Sequence, residues 1–218
     1  MLDLAAKYAP ALWGGLKVTL AMSALVWLVG IVIGTAAGTA SYKSKFAARV
    51  ISIGAFLVSS IPALALLFWI HYPLQAQLKT VVDPFWTSVA VFSVINIAMV
   101  ASTVKEAGDN LPRAYGEAAA VCSIPAGRTF LVIELPLILR ASTAPLVSAQ
   151  VTVLHLTLFA SLISVEELFR VAQQINSIEY KPVEIYTIIA FIYLSVSLPI
   201  NGIAMLAKKR FSGDSQAL

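Results

Sequence analysis

The side chains able to do chemistry are few, and His155 stands out among them. It lies in a charge-free apolar run, Ala141 to Val165, with Ser148, Gln150, Thr152 and Thr157 for company. An ionisable group at bilayer depth is costly and usually faces a cavity or a partner. His155 could therefore line a polar pathway, even as a proton carrier in a gradient-driven transporter or channel. The other reading is a neutral ring hydrogen-bonded to a neighbouring helix. The second histidine, His71, is far away in sequence, and neither has a metal-ligand partner at a usual spacing. No metal site is expected. The sequence has no Gly-x-x-x-x-Gly-Lys-(Ser/Thr) loop, so it cannot hydrolyse ATP by that machinery. No Ser-His-Asp set or Cys-His pair is suggested by position. The expectation is a chain that is not an enzyme and binds no cofactor of its own.

The other chemistry-bearing stretch is polar. Residues 117–136 combine charge, small residues and two prolines, with Arg113, Arg128 and Arg140 in and around them. The apolar piece Phe130 to Ile133 is broken by Glu134 and is far too short to span a bilayer, which needs about 20 apolar residues. A charged loop with a short helix, held between spanning helices, is a surface for gripping something soluble.

The elements that must position these residues follow from composition. The chain has 218 residues, 59% hydrophobic and 12% charged, against about 25% charged for a soluble domain. That is a polytopic membrane protein. Its net charge of +4 then says nothing about nucleic acid, and its single cysteine, Cys122, excludes an internal disulfide. Asp3 precedes Lys7, and the first apolar run exceeds the roughly 7–15 residues of a cleavable signal core, so that run is expected to be retained.

Five runs are long enough to span: 18–40, 50–70, 85–104, 141–165 and 185–207. Continuous apolar runs lack the alternation of a membrane barrel. The fold is expected to be all-α, one membrane domain over 1–218, with a polar loop over about 111–136. Lys43, Lys45, Arg49, Lys105, Arg113, Arg128, Arg140, Lys208, Lys209 and Arg210 fall on one side. The positive-inside tendency puts that side, the polar loop and the C-terminus in the cytoplasm, and the N-terminus outside.

Within the spans, Gly30, Gly34 and Gly38 recur every four residues, which lets a second helix approach closely. Pro62, after Ser59 and Ser60, should bend the second span. Trp69, Tyr72, Phe85 and Trp86 read as an interfacial aromatic belt. Val165, Leu168, Phe169, Ala172 and Ile175 recur at helical spacing among charged residues, predicting an amphipathic helix on the outer membrane surface.

The polar stretch also has a recognisable spacing. It reads Glu117-Ala118-Ala119, three residues, Ser123, nine residues, Ile133-Glu134-Leu135-Pro136. This resembles the EAA loop of bacterial ABC importer permeases, with Ser123 where the family has Gly. Ile163-Ser164-Val165-Glu166-Glu167-Leu168 with Ala172-Gln173 is similar to a stretch of the polar amino acid uptake branch. The resemblance covers nearly the whole chain and is strongest from Leu111 to Gln173. It implies the type I importer permease fold, five spans and a cytoplasmic coupling helix, in the bacterial inner membrane. It also implies a second permease subunit, two cytosolic ATP-binding subunits carrying ATP and Mg, an external solute-binding protein and a lipid surround.

On the same resemblance, Glu117, Ala118, Ala119, Ser123 and Pro136 are expected at the ATPase contact. Glu117 would be a cap or ion pair, Ala118 and Ala119 would allow close approach, and Pro136 would set the turn into the fourth span. Ser102, Gln150, Thr152 and His155 are the candidate pathway contacts. Ser59, Ser102, Leu156 and Leu158 lack polar or charged groups that the amino acid permeases usually show. Either the solute is not a common amino acid, or a partner in a heterodimer holds it; the heterodimer is preferred to the homodimer.

Overall fold

The computed structural model describes residues 1–212 of the chain. The last six residues of the domain expected over 1–218 lie outside the described residues. Ten α-helices follow in order. They are α1 (Leu2–Lys43), α2 (Lys45–Ser60), α3 (Ala63–Trp69), α4 (Gln75–Leu78), α5 (Pro84–Asp109), α6 (Ala114–Val121), α7 (Ala126–Thr129), α8 (Leu135–Leu156), α9 (Leu168–Glu179) and α10 (Pro182–Ser212). A π-turn, Phe130–Glu134, joins α7 to α8 into one rod that ends in a 3-10 turn, Thr157–Ile163.

Among the described residues, four helical rods are long and apolar enough to cross a membrane: Leu2–Lys43, Pro84–Asp109, Ala126–Ile163 and Pro182–Leu206. The second expected span, 50–70, is broken, because α2 and the α3–α4 segment meet at 90°. The cause is local. Pro62 cannot donate a backbone hydrogen bond and pushes the residue before it out of the helical region. Ile61 accordingly sits at φ −100°, ψ 126°. The Ser59 and Ser60 hydroxyls both donate to the Phe56 carbonyl, at 3.1 and 2.7 Å, and so satisfy an acceptor near the helix end.

Two rods run well past their apolar stretches. The first span, expected over 18–40, is the later part of a 42-residue helix, about 60 Å long at 1.5 Å per residue. The fourth, expected from 141, begins at Ala126. Residues 126–136 are therefore the first turns of a rod rather than part of a loop, and Pro136 sits inside that rod instead of at a turn. The π-turn before it accommodates the missing proline N–H, with Leu135 N donating to Phe130 O.

Helix α1 is the spine, and its glycines explain why. A Cβ on Gly30 would stand 2.1 Å from Asn96 Nδ2, one on Gly34 2.6 Å from Val100, and one on Gly38 2.7 Å from Val104. The three glycines thus form the seam against α5. One core cluster joins Met22, Val26, Leu67, Phe92 and Val153; another joins Leu12, Leu154, Leu168, Ile175 and Ile189. Helix α2 buries no residue, and Phe46 and Phe56 on it are open.

Candidate functional site

Helix α6 bridges the ends of α5 and the α7–α8 rod. It ends in a paired capping arrangement: Ser123 N donates to Ala120 O at 2.9 Å and Ile124 N to Ala119 O at 3.0 Å. This puts Ser123 at φ 55°, the left-handed region that favours glycine. Pro125 then restarts the chain as the residue ahead of α7. Ala119 is buried, whereas Glu117, Ala118, Ala120, Val121 and Cys122 face outward.

Glu117 departs from expectation. Its backbone N bonds Arg113 O at 3.1 Å, but among the described residues its side chain has neither a hydrogen bond nor an ion pair. An exposed carboxylate without a partner in its own chain is free to meet one elsewhere.

Below α6 lies a joint of aromatic rings. Phe130 is buried and stacks on Tyr42 at 6.1 Å between centroids, with the Lys43 ammonium 3.6 Å from the Phe130 centroid. Tyr42 in turn occupies the space a side chain at Gly108 would need, since a Cβ there would come within 2.8 Å. Ile138, Val100 and Val104 close the cluster. The α6 end is thus fixed to the ends of α1, α5 and the α8 rod at once.

The expected pathway residues do not form one cluster. Ser102 is exposed on α5, in a groove of about 530 Å³ against α2 that Ser59, Met99 and Lys105 also line. Gln150 is buried, and its amide pairs with Asn96: Asn96 Nδ2 donates to Gln150 Oε1 at 2.9 Å and Gln150 Nε2 donates to Asn96 Oδ1 at 3.3 Å. Asn96 Nδ2 also reaches Val26 O at 3.1 Å, and Trp27 Nε1 donates to Gln150 O at 3.0 Å. Gln150 therefore locks α1, α5 and α8 together and offers no free group to a solute. Thr152 is exposed on α8, its hydroxyl 3.5 Å from Ser148 O. His155 is exposed too; its Nε2 lies 3.1 Å from Ser197 Oγ on α10, and its ring meets Tyr193 edge-on. Among the described residues no group of three or more His, Cys, Asp or Glu could hold a metal ion.

Sequence reasoning missed Glu167. The amphipathic pattern over 165–175 predicts that its charged residues face water, yet Glu167 is fully buried and caps α9, accepting from Phe169 N at 2.9 Å and Arg170 N at 2.7 Å. Burial pushes its carboxyl up from 4.5 to about 7, against the lowering effect of those hydrogen bonds. The available signal was a carboxylate directly ahead of a helical apolar pattern, which is a capping position. At the far end of α9, Glu179 accepts from Lys7 and Tyr8, each at 2.6 Å. Those two hydrogen bonds, Lys7 foremost, hold the Glu179 carboxyl below its ordinary value.

Known proteins share the family and the fold. The profile of the family described as "Binding-protein-dependent transport system inner membrane component" matches residues 30–213. The chain is 26% identical over 203 residues to the glutamine transport system permease protein GlnP of Escherichia coli K12, covering 92% of this chain and 93% of that one. It is 28% identical over 207 residues to the L-cystine transport system permease protein TcyB of Bacillus subtilis, covering 94% and 88%. Among solved structures, an amino acid ABC transporter crystallised with histidines superposes with a TM-score of 0.86 at 23% identity, over 94% of this chain and 96% of that one. The MetNI methionine ABC transporter gives 0.72 at 17%, over 92% and 98%. With most of its length matched, the chain belongs to the binding-protein-dependent transport system inner membrane components, as a multi-pass permease subunit of the inner membrane.

Proposed function

We propose that this permease subunit imports amino acids or related polar small molecules, driven by two cytosolic ATP-binding subunits that grip α6. The observation that carries the reading is the α6 end itself. An outward-facing Glu117, Ala118, Ala120 and Val121 stand on an aromatic joint tied to three long helices. A force applied there reaches α1, α5 and α8 together, and a packed helix set can switch between two arrangements. The chain supplies no catalysis; ATP and Mg reside on the partners, and no nucleic acid is involved.

The α6 end lies in the cytoplasm with the C-terminus, and the α9 end faces outward, toward a solute-binding protein. Basic residues gathered at the α6 end support that orientation. A second permease subunit completes the pathway beside the open, unburied α2. The names of relatives that carry glutamine, cystine and basic amino acids support the solute class. The inward turn of Gln150, whose amide is spent on Asn96, supports a heterodimer whose partner holds the solute. His155 beside Ser197 supports a packing contact over a proton relay.

The test is co-purification followed by reconstitution. An ATPase should co-purify, and amino acid uptake into liposomes should require ATP and stimulate its hydrolysis. Uptake driven by an ion gradient, with no ATPase in the complex, would overturn the reading.

A further inference from the structure

Glu167 is the one charged side chain fully buried among the described residues. Besides the two α9 amides it caps, its Oε2 lies 3.4 Å from Thr19 Oγ1 on α1 and 3.5 Å from Tyr193 OH on α10. Thr19 Oγ1 also accepts from Leu168 N at 3.1 Å. A Cβ on Gly15 would meet Leu168 Cα at 2.8 Å, so α1 and the start of α9 touch backbone to backbone. Three elements therefore meet at one carboxyl group.

Among the described residues, no positive side chain offsets that carboxyl. Helix α1 presents Thr19, α10 presents Tyr193, and α9 presents its amides, while the Arg170 guanidinium lies 3.9 Å from Glu166 instead. His155, on α8, meets the Tyr193 ring and Ser197. Lys7 is engaged at the opposite end of α9 with Glu179.

We propose that Glu167 is a positioning residue for transport: it latches α9 to α1 and α10 at the α9 end, and proton binding to it changes the α10 tie. As a carboxylate it accepts from all four donors. As an acid it must donate its own O–H. The two backbone amides cannot receive it, so the proton turns toward a hydroxyl, Thr19 or Tyr193, whose role reverses from donor to acceptor. Thr19 has a second acceptor, Gly15 O at 3.2 Å, and keeps its bond from Leu168 N. Thr19 can therefore accept the acid proton while donating its own to Gly15 O, and the Tyr193 hydroxyl, 3.5 Å away, is left facing a protonated oxygen that accepts more weakly than a carboxylate. Helix α9 stays fastened to α1, because Glu179 holds Lys7 and Tyr8 in either state, and the polar tie to α10 is the one that loosens, while Ile175 stays in one apolar cluster with Ile185 and Ile189.

This rests on the transport reading above only for its consequence, since the latch itself can be observed in the purified chain. Infrared difference spectra of the wild-type complex should show a carboxylic-acid C=O band that falls with rising pH. With the group at about 7, the acid population should drop about tenfold between about pH 6 and pH 8. Glu167→Gln should remove the band, and Tyr193→Phe, which deletes a donor to the carboxylate, should move its midpoint to higher pH. In liposomes, the pH profile of ATP-driven uptake should follow the band and flatten in Glu167→Gln. Absence of the band from the wild type overturns the proposal, as does a Glu167→Gln or Tyr193→Phe complex with an unchanged pH profile. Uptake that needs no ATP would instead strike at the transport reading and leave the spectroscopic result standing.

Discussion

The α6 end and the α9 end are both short helices set between long rods, and they are built in opposite ways. Helix α6 has 8 residues and buries one, Ala119, leaving its carboxylate Glu117 exposed and, among the described residues, without a partner. Helix α9 has 12 residues, buries Leu168, Ala172 and Ile175, and takes its carboxylate Glu167 wholly inside. One end is a surface waiting for a partner, and the other is a closed fastening. A carboxyl group in water is free to pair with an incoming cation or amide, whereas a buried one is committed to the donors around it. The difference supports the proposed docking at α6 and positioning at α9.

The spine that connects the two ends is where the comparison is most easily broken. Gly30→Val would drive a side chain into Asn96 and part it from Gln150. Overpacking together with lost buried hydrogen bonds should cost about 4 kcal/mol. Thermal unfolding of the purified chain should show a large fall in midpoint, or the chain should fail to assemble. A stable variant would mean that the α1–α5 seam does not carry the fold.

The α9 end carries the next effect. The Glu167 carboxyl is raised from 4.5 to about 7 in the fold. Its contribution to stability is therefore fully present below about 4.5 and is lost as pH rises through about 7, on the order of 3 kcal/mol in all. Stability measured against pH should show this decline in the wild type and lose it in Glu167→Gln. Glu179 has the opposite sign: held below its ordinary value by Lys7 and Tyr8, it stabilises above that value and ceases to do so as pH falls through its lowered one.

The smallest effect belongs to the α6 end. Ser123 occupies a left-handed position at φ 55°. Ser123→Gly should relieve roughly 1 kcal/mol of backbone strain, seen as a modest rise in unfolding midpoint. No change would indicate that the Ser123 side chain makes up the difference.

The spans were legible in the sequence because lipid demands long apolar runs, and the α1 seam was legible in the spacing of Gly30, Gly34 and Gly38. The rod ends were not. Residues 2–17 and 126–140 carry Asp3, Lys7, Arg128 and Glu134. They stay helical because tertiary contacts, Lys7 with Glu179 and Phe130 with Tyr42, hold them beyond the apolar stretch. Composition identifies a polar residue but not the direction it faces. Gln150 was expected to line a pathway, yet it shares a buried face with Val153, Leu154 and Thr157, while Thr152 and His155 occupy the other. Glu167 was hidden for the converse reason, since an amphipathic pattern assigns every charge to the water side.

Cys122 offers the most direct test of the α6 docking surface. It is the only cysteine in the chain, it is exposed, and it directly follows α6. Alkylation should be fast in the isolated subunit and strongly suppressed in the assembled transporter, returning when the ATP-binding subunits are stripped away. Equal reactivity of Cys122 with and without those subunits would contradict the account.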